Sequence, residues 1–513
     1  MKEKKLRGNP RRYQNLPYVK KSHMVALGLG DLGYSLVSGT VATYIMAFGT
    51  MVVGLSGALM GIAIAIGTII DAISDPIVGH LSDNSKNRIF GKRHLWILIG
   101  LIGLMATSVF IWYVPKGLSA IKTFIWFAVG LTVLRTFNTF YFTPVGAFSV
   151  EVSNDYNERT TIQAFRSIGY IIGMILPVVI MGTFQNKYAI RNELGEVIIK
   201  GQFFAQGYRD FALVAVAVCF VTGVFMYIMT FSDIKQVRAR QKLEETVKQK
   251  SSLKKVLMDF LGVLKSGDMR SIIFGYAISM VSATLIISLG FHVFTFTFEL
   301  ATTQMYILMG GLLVMTIVGQ PLWPMLSKKY DKKRSMLTGL IISLIGCVLL
   351  FVCWFLRDWI NTLIESNIAL IILLPPLMIA GLGTGVLYSM PLALIGDAVV
   401  KNSVDDKSEK TGTYAGMMTF AYKISQSLTQ LVSGILLSTI GFVEGSHVQS
   451  YRTSSNLGLI LCIGITAVII VGIIIFATMK LDKGEITRLM KEHEENCLEL
   501  AKKEQSSVGD EEN

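Results

Sequence analysis

The sequence predicts an all-α membrane protein with twelve transmembrane helices in two six-helix bundles. Three observations predict it. Of 513 residues, 52% are hydrophobic and only 16% are charged, whereas a soluble domain carries about 25% charged residues. Unbroken apolar runs of about 20 residues, long enough to cross a bilayer as a helix, recur along the chain. A polar, basic stretch at 232–270 divides those runs six and six. Together with a mean hydropathy of +0.54, these features exclude a disordered chain, a secreted cystine scaffold and an ordinary soluble enzyme.

The elements follow in order. Residues 1–23 form a basic arm with eight Lys/Arg. The first half, 24–231, holds predicted spans at 24–47, 58–81, 94–114, 121–143, 163–184 and 211–231. The first run is too long for a signal-peptide core and has no small-residue cleavage site. After the central loop 232–270, the second half, 271–478, holds spans at 271–295, 303–326, 335–356, 367–389, 413–440 and 456–478. Residues 479–513 form a charged tail. The runs lack the ten-residue alternation of barrel strands.

Orientation follows from the loops. Lys86, Arg88, Lys92 and Arg93 follow span 2, and Lys328, Lys329, Lys332, Lys333 and Arg334 follow span 8. The intervening loops on the other side are poor in bases, which places both termini in the cytoplasm. The net charge of +13 is read in the same way rather than as a nucleic-acid footprint. GHLSDNSKNRIFGKR after span 2 and PMLSKKYDKKR after span 8 form a weak internal repeat, as secondary transporters have. The five cysteines show no metal-ligand spacing. No Walker motif, nucleophile elbow or HExxH occurs, and GLGDLG at 28–33 lies inside an apolar span, where close helix packing explains its glycines.

Besides Lys122 at the edge of the fourth, six charges fall inside the spans: Asp31, Asp71, Asp75, Arg135, Arg166 and Lys423. Each costs at least about 2.5–3.5 kcal/mol at mid-membrane. Three acids face three bases, so mutual neutralisation is one reading. Asp71 and Asp75 lie one turn apart on one helix face. Two carboxylates so close imply a proton on one, a cation between them, or a base such as Lys423 beside them. Pro76 follows and limits backbone hydrogen bonding in that turn. Lys423 is either a static tie or a mobile one that a cation would displace. Arg135 is open to two readings, neutralising an acid or attracting an anionic substrate group. Arg166 sits at the cytoplasmic interface or contacts substrate. Thr419, Gln426 and Gln430 contact substrate or bridge helices.

These residues resemble a known family. GLGDLGYSL, VVGLSGALMG and IIDAISDPIVGHLSDNSKNRIFGKRHLWILIG are similar to the N-terminal signature of the glycoside–pentoside–hexuronide:cation symporters, part of the major facilitator superfamily. FTPVGAFSVEVSNDYNERTTIQAFRS, GLGTGVLYSMPLALIGDAVV and KTGTYAGMMTFAYKISQSL continue the likeness to the eleventh span. The resemblance implies a major facilitator fold with alternating access and cation-coupled uptake. Its cation-site aspartates fall on Asp71 and Asp75, with Thr139 assisting. Ser74 stands where the melibiose carrier has an asparagine. The family lysine falls on Lys423 and its threonine on Thr419. The carrier's two sugar-binding aspartates fall on Ser35 and Phe142, its stacking tryptophan on Gly146, its site tyrosine on Asn138, and its site arginine on Arg166 across a one-residue gap. These departures argue against melibiose, and they leave room for a hexuronide or a lysolipid-like substrate.

The resulting expectation is a symporter importing a glycoside, pentoside or uronide, coupled to Na⁺ or H⁺, with no other cofactor. Asp83, Arg88, Lys92 and Arg93 are expected to latch the cytoplasmic side. The expected setting is a bacterial plasma membrane, multi-pass, the chain acting as a monomer on a small molecule and not on nucleic acid. A membrane-embedded enzyme and a non-transporting sensor are the competing classes.

Overall fold

The computed structural model describes residues 19–85, 87, 89–153, 156–234, 262, 266–364, 367–406, 411–480, 484 and 488. Most of the basic arm, the central loop and the tail lie outside the described residues, as do Lys86 and Arg88. In chain order the long helices are α1 (Lys21–Ala47), α2 (Gly57–Asp83), α3 (His94–Trp112), α4 (Ala120–Glu151), α5 (Tyr156–Asn186) and α6 (Ala205–Phe231). A two-stranded hairpin, β1 (Ile190–Arg191) and β2 (Val197–Ile199), joins α5 to α6. The second half contains α7 (Gly267–His292), α8 (Thr302–Lys329), α9 (Lys332–Phe355), the short α10 (Arg357–Asn361), α11 (Ile368–Thr384), α12 (Val386–Asp406), α13 (Thr411–Thr439) and α14 (Tyr451–Ala477). α11 and α12 together make the tenth span.

Among the described residues, eleven helices are long and apolar enough to cross a membrane. The twelfth crossing, α13, is a helix of 29 residues that carries Lys423, Ser425, Gln426, Ser427, Thr429 and Gln430. That polar content keeps it out of the apolar set while leaving it fully helical. Several helices outrun their apolar runs. α4 continues through Pro144 to Glu151, and α2 continues through Pro76 to Asp83. Helix propensity and neighbouring packing carry them past the end of the hydrophobic stretch.

The chain forms two compact units, residues 1–48 with 66–250, and residues 49–65 with 251–513. In the first, α1 packs against α5 and α6. Lipid tails are as apolar as leucine, so helices associate through close backbone approach at small residues rather than through a hydrophobic drive. A Cβ at Gly169 would stand 1.8 Å from the Gly28 carbonyl oxygen, and one at Gly173 would stand 2.3 Å from that of Leu32. Gly33 approaches the α6 backbone at Cys219 in the same way, at 2.8 Å. The glycines of GLGDLG are therefore packing residues, and their seam sets Asp31 against α5.

In the second unit, the first turns of α2 lie against α13. A Cβ at Gly434 would stand 2.1 Å from the Gly57 oxygen, and one at Gly61 would stand 2.7 Å from the Gln430 oxygen. The first amides of a helix have no intrahelical acceptor. Here Gly57 N donates to Glu444 Oε1 at 3.2 Å and Ala58 N to Ser438 Oγ at 3.0 Å. Ser427 Oγ donates to the Ala65 carbonyl at 3.0 Å. Thr50 Oγ1 lies 2.7 Å from His292 Nε2, both buried.

The halves repeat in detail. α1 ends in a π turn, Phe48–Val52, and α7 ends in another, Val293–Thr297. Such turns are rare inside or at the end of α-helices. Their equivalent positions echo the loop repeat seen in the sequence.

Candidate functional site

The DAISDP segment lies on the half of α2 that belongs to the first unit. Asp71 is buried and Ser74 and Asp75 are half-buried. Thr139, on α4, donates its hydroxyl to Asp71 Oδ1 at 2.9 Å. Ser74 Oγ lies 3.1 Å from Thr139 Oγ1 and 3.1 Å from the Asp71 carbonyl oxygen. The i, i+4 spacing brings the Asp75 carboxylate to the same helix face. Pro76 has no N–H to give the Ala72 carbonyl, so that oxygen is released from the helix ladder beside the carboxylates. The site thus gathers carboxylate, hydroxyl and carbonyl oxygens, the donors that hard cations prefer. Of the sequence-predicted quartet, Asp71, Ser74 and Thr139 come together between α2 and α4, and Asp75 lies one turn further along α2.

Arg135 is half-buried one turn before Thr139, whose hydroxyl also lies 3.3 Å from the Arg135 carbonyl oxygen. Asn138 is buried; its Nδ2 donates to Ser38 Oγ at 3.1 Å, while Oδ1 has no hydrogen-bond partner among the described residues. The Tyr141 hydroxyl is likewise buried without one.

A second charge cluster lies across α1, α4 and α5. Arg166 donates Nε–H to Asp31 Oδ2 at 2.7 Å and places Nη2 3.5 Å from Oδ1. Its Nη1 donates to Ser149 Oγ at 2.9 Å and to Gln163 Oε1 at 3.2 Å. Asp31 and Arg166 are both buried. Four of the five guanidinium N–H bonds are directed at these partners. The glycine seam explains the pairing, because side-chain-free contact between α1 and α5 leaves the two charges facing each other. Gly146 borders the pair, with its Cβ position 3.9 Å from Arg166 Nη1. Ser35 is fully buried in the α1–α5 seam and donates to the Leu32 carbonyl at 3.2 Å.

Beside the ion pair is an aromatic group around Phe142, a predicted substrate position, whose other members sequence reasoning missed. Phe142 stacks on Tyr34 at 4.9 Å between centroids and 19° between planes. Tyr34 stacks on Tyr141 at 5.5 Å, and Phe142 and Tyr170 lie 6.1 Å apart. The Arg166 guanidinium carbon is 5.9 Å from the Phe142 centroid. Phe142 and Tyr170 are both exposed. The available signal was the run Tyr141-Phe142, with Tyr34 on α1.

At the far end of α2, Arg93 is buried and donates to Ser82 Oγ at 2.6 Å, to Glu151 Oε1 at 2.7 Å, and to Asp83. Lys92 is half-buried beside it. The second unit repeats the device. Lys332 donates to Asp397 Oδ1 at 2.5 Å and to the Ala393 carbonyl at 3.3 Å. In each half a base opening the third helix binds an acid late in the fourth. Lys423 is half-buried on α13, and Thr419 is exposed one turn before it. Gln426 is half-buried, and Gln430 accepts a hydrogen bond from Ser288 at 2.9 Å.

The comparisons with known proteins bear on this geometry. A family model described as MFS/sugar transport protein matches residues 26–483. An uncharacterized symporter of Bacillus subtilis, YjmB, is 25% identical over 82% of this chain and 84% of its own. The isoprimeverose transporter of Lactiplantibacillus pentosus is 22% identical over 84% of this chain and 82% of its own. The crystal structure of the nucleoside transporter NupG superposes with a TM-score of 0.58 at 13% identity, covering 90% of this chain and all of that one. These proteins are transporters rather than enzymes, and twelve membrane helices in two six-helix bundles is the fold. The chain is a multi-pass membrane protein that belongs to the MFS/sugar transport family of the major facilitator superfamily.

Proposed function

We propose that this chain is a cation-coupled symporter that imports a neutral sugar derivative, a glycoside or pentoside, by alternating access. The observation that carries the coupling is the Thr139–Asp71 hydrogen bond beside Ser74 and Asp75. Two carboxylates held close by a helix turn repel each other, and a monovalent cation or a proton relieves that repulsion. Na⁺ and H⁺ are both served by these oxygens. Lys423 keeps the coupling role read from the sequence. Each ligand favours the same conformation, so binding of one strengthens binding of the other.

The neutral substrate is argued from Arg166. Its donors are committed to Asp31, Ser149 and Gln163, which leaves little charge to attract a uronide. The exposed rings of Phe142 and Tyr170 offer apolar faces for a sugar ring, and Asn138 Oδ1 offers an acceptor for a hydroxyl. The isoprimeverose transporter among the relatives supports a sugar substrate. A second reading, an anionic or lysolipid-like substrate, rests on Arg135 beside the cation site. The proposal sets the protein in a plasma membrane, bacterial, with both termini cytoplasmic, working as a monomer. Asp83, Lys92 and Arg93 act as the cytoplasmic latch, together with Glu151.

The test is uptake into proteoliposomes of labelled glycosides, pentosides, uronides and lysolipids, with and without a Na⁺ or proton gradient. Gradient-driven accumulation of a neutral glycoside or pentoside, lost in Asp71→Cys and Asp75→Cys, is the expected result. Accumulation of uronides alone would overturn the neutral assignment, and gradient-independent equilibration would overturn the coupling.

A further inference from the structure

The hairpin between α5 and α6 is exposed, apolar and held at its root. Asn192 Oδ1 accepts from Leu194 N at 3.1 Å and from Glu196 N at 2.8 Å, and Gly195 takes the left-handed conformation with φ 83°. This turn points Leu194 outward at 84% exposure, with Ile198 at 64% and Ile190 and Val197 also exposed. The root has little freedom. A Cβ at Gly201 would stand 1.8 Å from the Gln185 carbonyl, and Tyr208 Oη donates to the Gln202 carbonyl at 2.9 Å. Tyr188 Oη donates to Asp210 Oδ2 at 2.5 Å. Four large aliphatic side chains on one small rigid hairpin are more than scattered surface hydrophobicity.

The surface beside the hairpin identifies what covers it. Both strands spring from the ends of membrane-crossing helices. Exposed apolar residues run up those helices toward the hairpin, Val179 on α5 and Leu213 and Val214 on α6. Exposed Lys187 and Arg191 follow beyond the end of α5. We propose that the 187–204 hairpin docks on the lipid bilayer, with Leu194 and Ile198 seated at the boundary between headgroups and acyl chains. Apolar side chains seated at that boundary bury their area in the interface while the exposed Lys187, Arg191, Glu193 and Glu196 stay in water. The hairpin braces the α5–α6 end of the first unit against the interface.

The test places a bimane label on Leu194→Cys in the full-length chain carrying Cys497→Ser. The four other cysteines, Cys219, Cys347, Cys353 and Cys462, are buried. In proteoliposomes the emission should shift to the blue relative to the detergent-solubilised protein. Quenching by lipids bearing a nitroxide near the headgroup should exceed quenching by aqueous iodide several-fold. A second label at Ile198→Cys should behave alike. Water-like emission with strong iodide quenching at both positions would overturn the proposal. So would shielding that appears only when a second protein is crosslinked to the hairpin.

Discussion

Arg166 and Asp31 meet at 2.7 Å, both buried, across a seam where α1 and α5 touch backbone to backbone. Each charge answers the other's desolvation, and Ser149 and Gln163 occupy the remaining guanidinium donors on one side. The pair turns two expensive charges into a neutral strut beside the aromatic group.

Breaking that strut from one side leaves a buried charge alone. Asp31→Asn or Arg166→Gln should each cost about 3–5 kcal/mol of stability. The double variant Asp31→Asn/Arg166→Gln should recover much of that loss. Unfolding in detergent, read as a double-mutant cycle, measures the coupling. Additive losses would mean that the charges act independently.

Thr139→Val removes the donor to Asp71 while keeping the side-chain volume. Losing one hydrogen bond to a charged group weakens the site by about 1.5 kcal/mol, or roughly tenfold. The cation concentration for half-maximal uptake should rise by that factor, with Thr139→Ser close to wild type. Uptake titrated against Na⁺ and against pH separates the two candidate ions.

The two helix-end clusters should behave as equivalents. Arg93→Met and Lys332→Met each remove a charge-assisted hydrogen bond from an acid, Glu151 or Asp397. Asp83 lies twelve residues along α2 from Asp71, about 18 Å of helix. Both variants should therefore lower turnover and leave equilibrium substrate affinity unchanged. Transport rate and binding, measured on the same preparation, check this.

Asp233, just beyond α6, is hydrogen-bonded to His23 at 2.8 Å. Burial raises its carboxyl above the ordinary 3.8, against the opposing pull of His23. A raised carboxyl favours folding most below its unfolded value, and that contribution is lost as pH rises through the folded value. Compared with Asp233→Asn, the wild type should gain stability as the pH falls from neutral toward 4. Paired melting curves at several pH values test the sign.

The spans and the shared face of Asp71 and Asp75 were legible because both are written locally. Apolar runs declare helices, and DAISDP with its i, i+4 acids declares a shared face. Thr139 needed the family resemblance, since nothing in α4 alone points it at Asp71. The Asp31–Arg166 pair was hidden for a different reason. Three acids and three bases admit many pairings, and only the glycine seam selects this one. The Lys332–Asp397 contact went unread because Asp397 lies beyond the predicted span 367–389, and only the continuation of the helix as α12 brings it to Lys332. The hairpin left a faint signal, Asn192 and Gly195 between IR and VII, inside a stretch read only as loop. Of the four residues expected to form the latch, Arg88 lies outside the described residues, while Asp83, Lys92 and Arg93 are described.

The borrowed caps of α2 also bear on how the protein is made. Gly57 and Ala58 find their acceptors on Glu444 and Ser438, 387 and 380 residues further along the chain. A ribosome has nearly finished the polypeptide before those partners exist. The second helix therefore enters the bilayer with its opening turn incomplete and settles only when the eleventh arrives. Nascent chains halted before residue 438 should be recognisable by a frayed, exchange-prone first turn at Gly57.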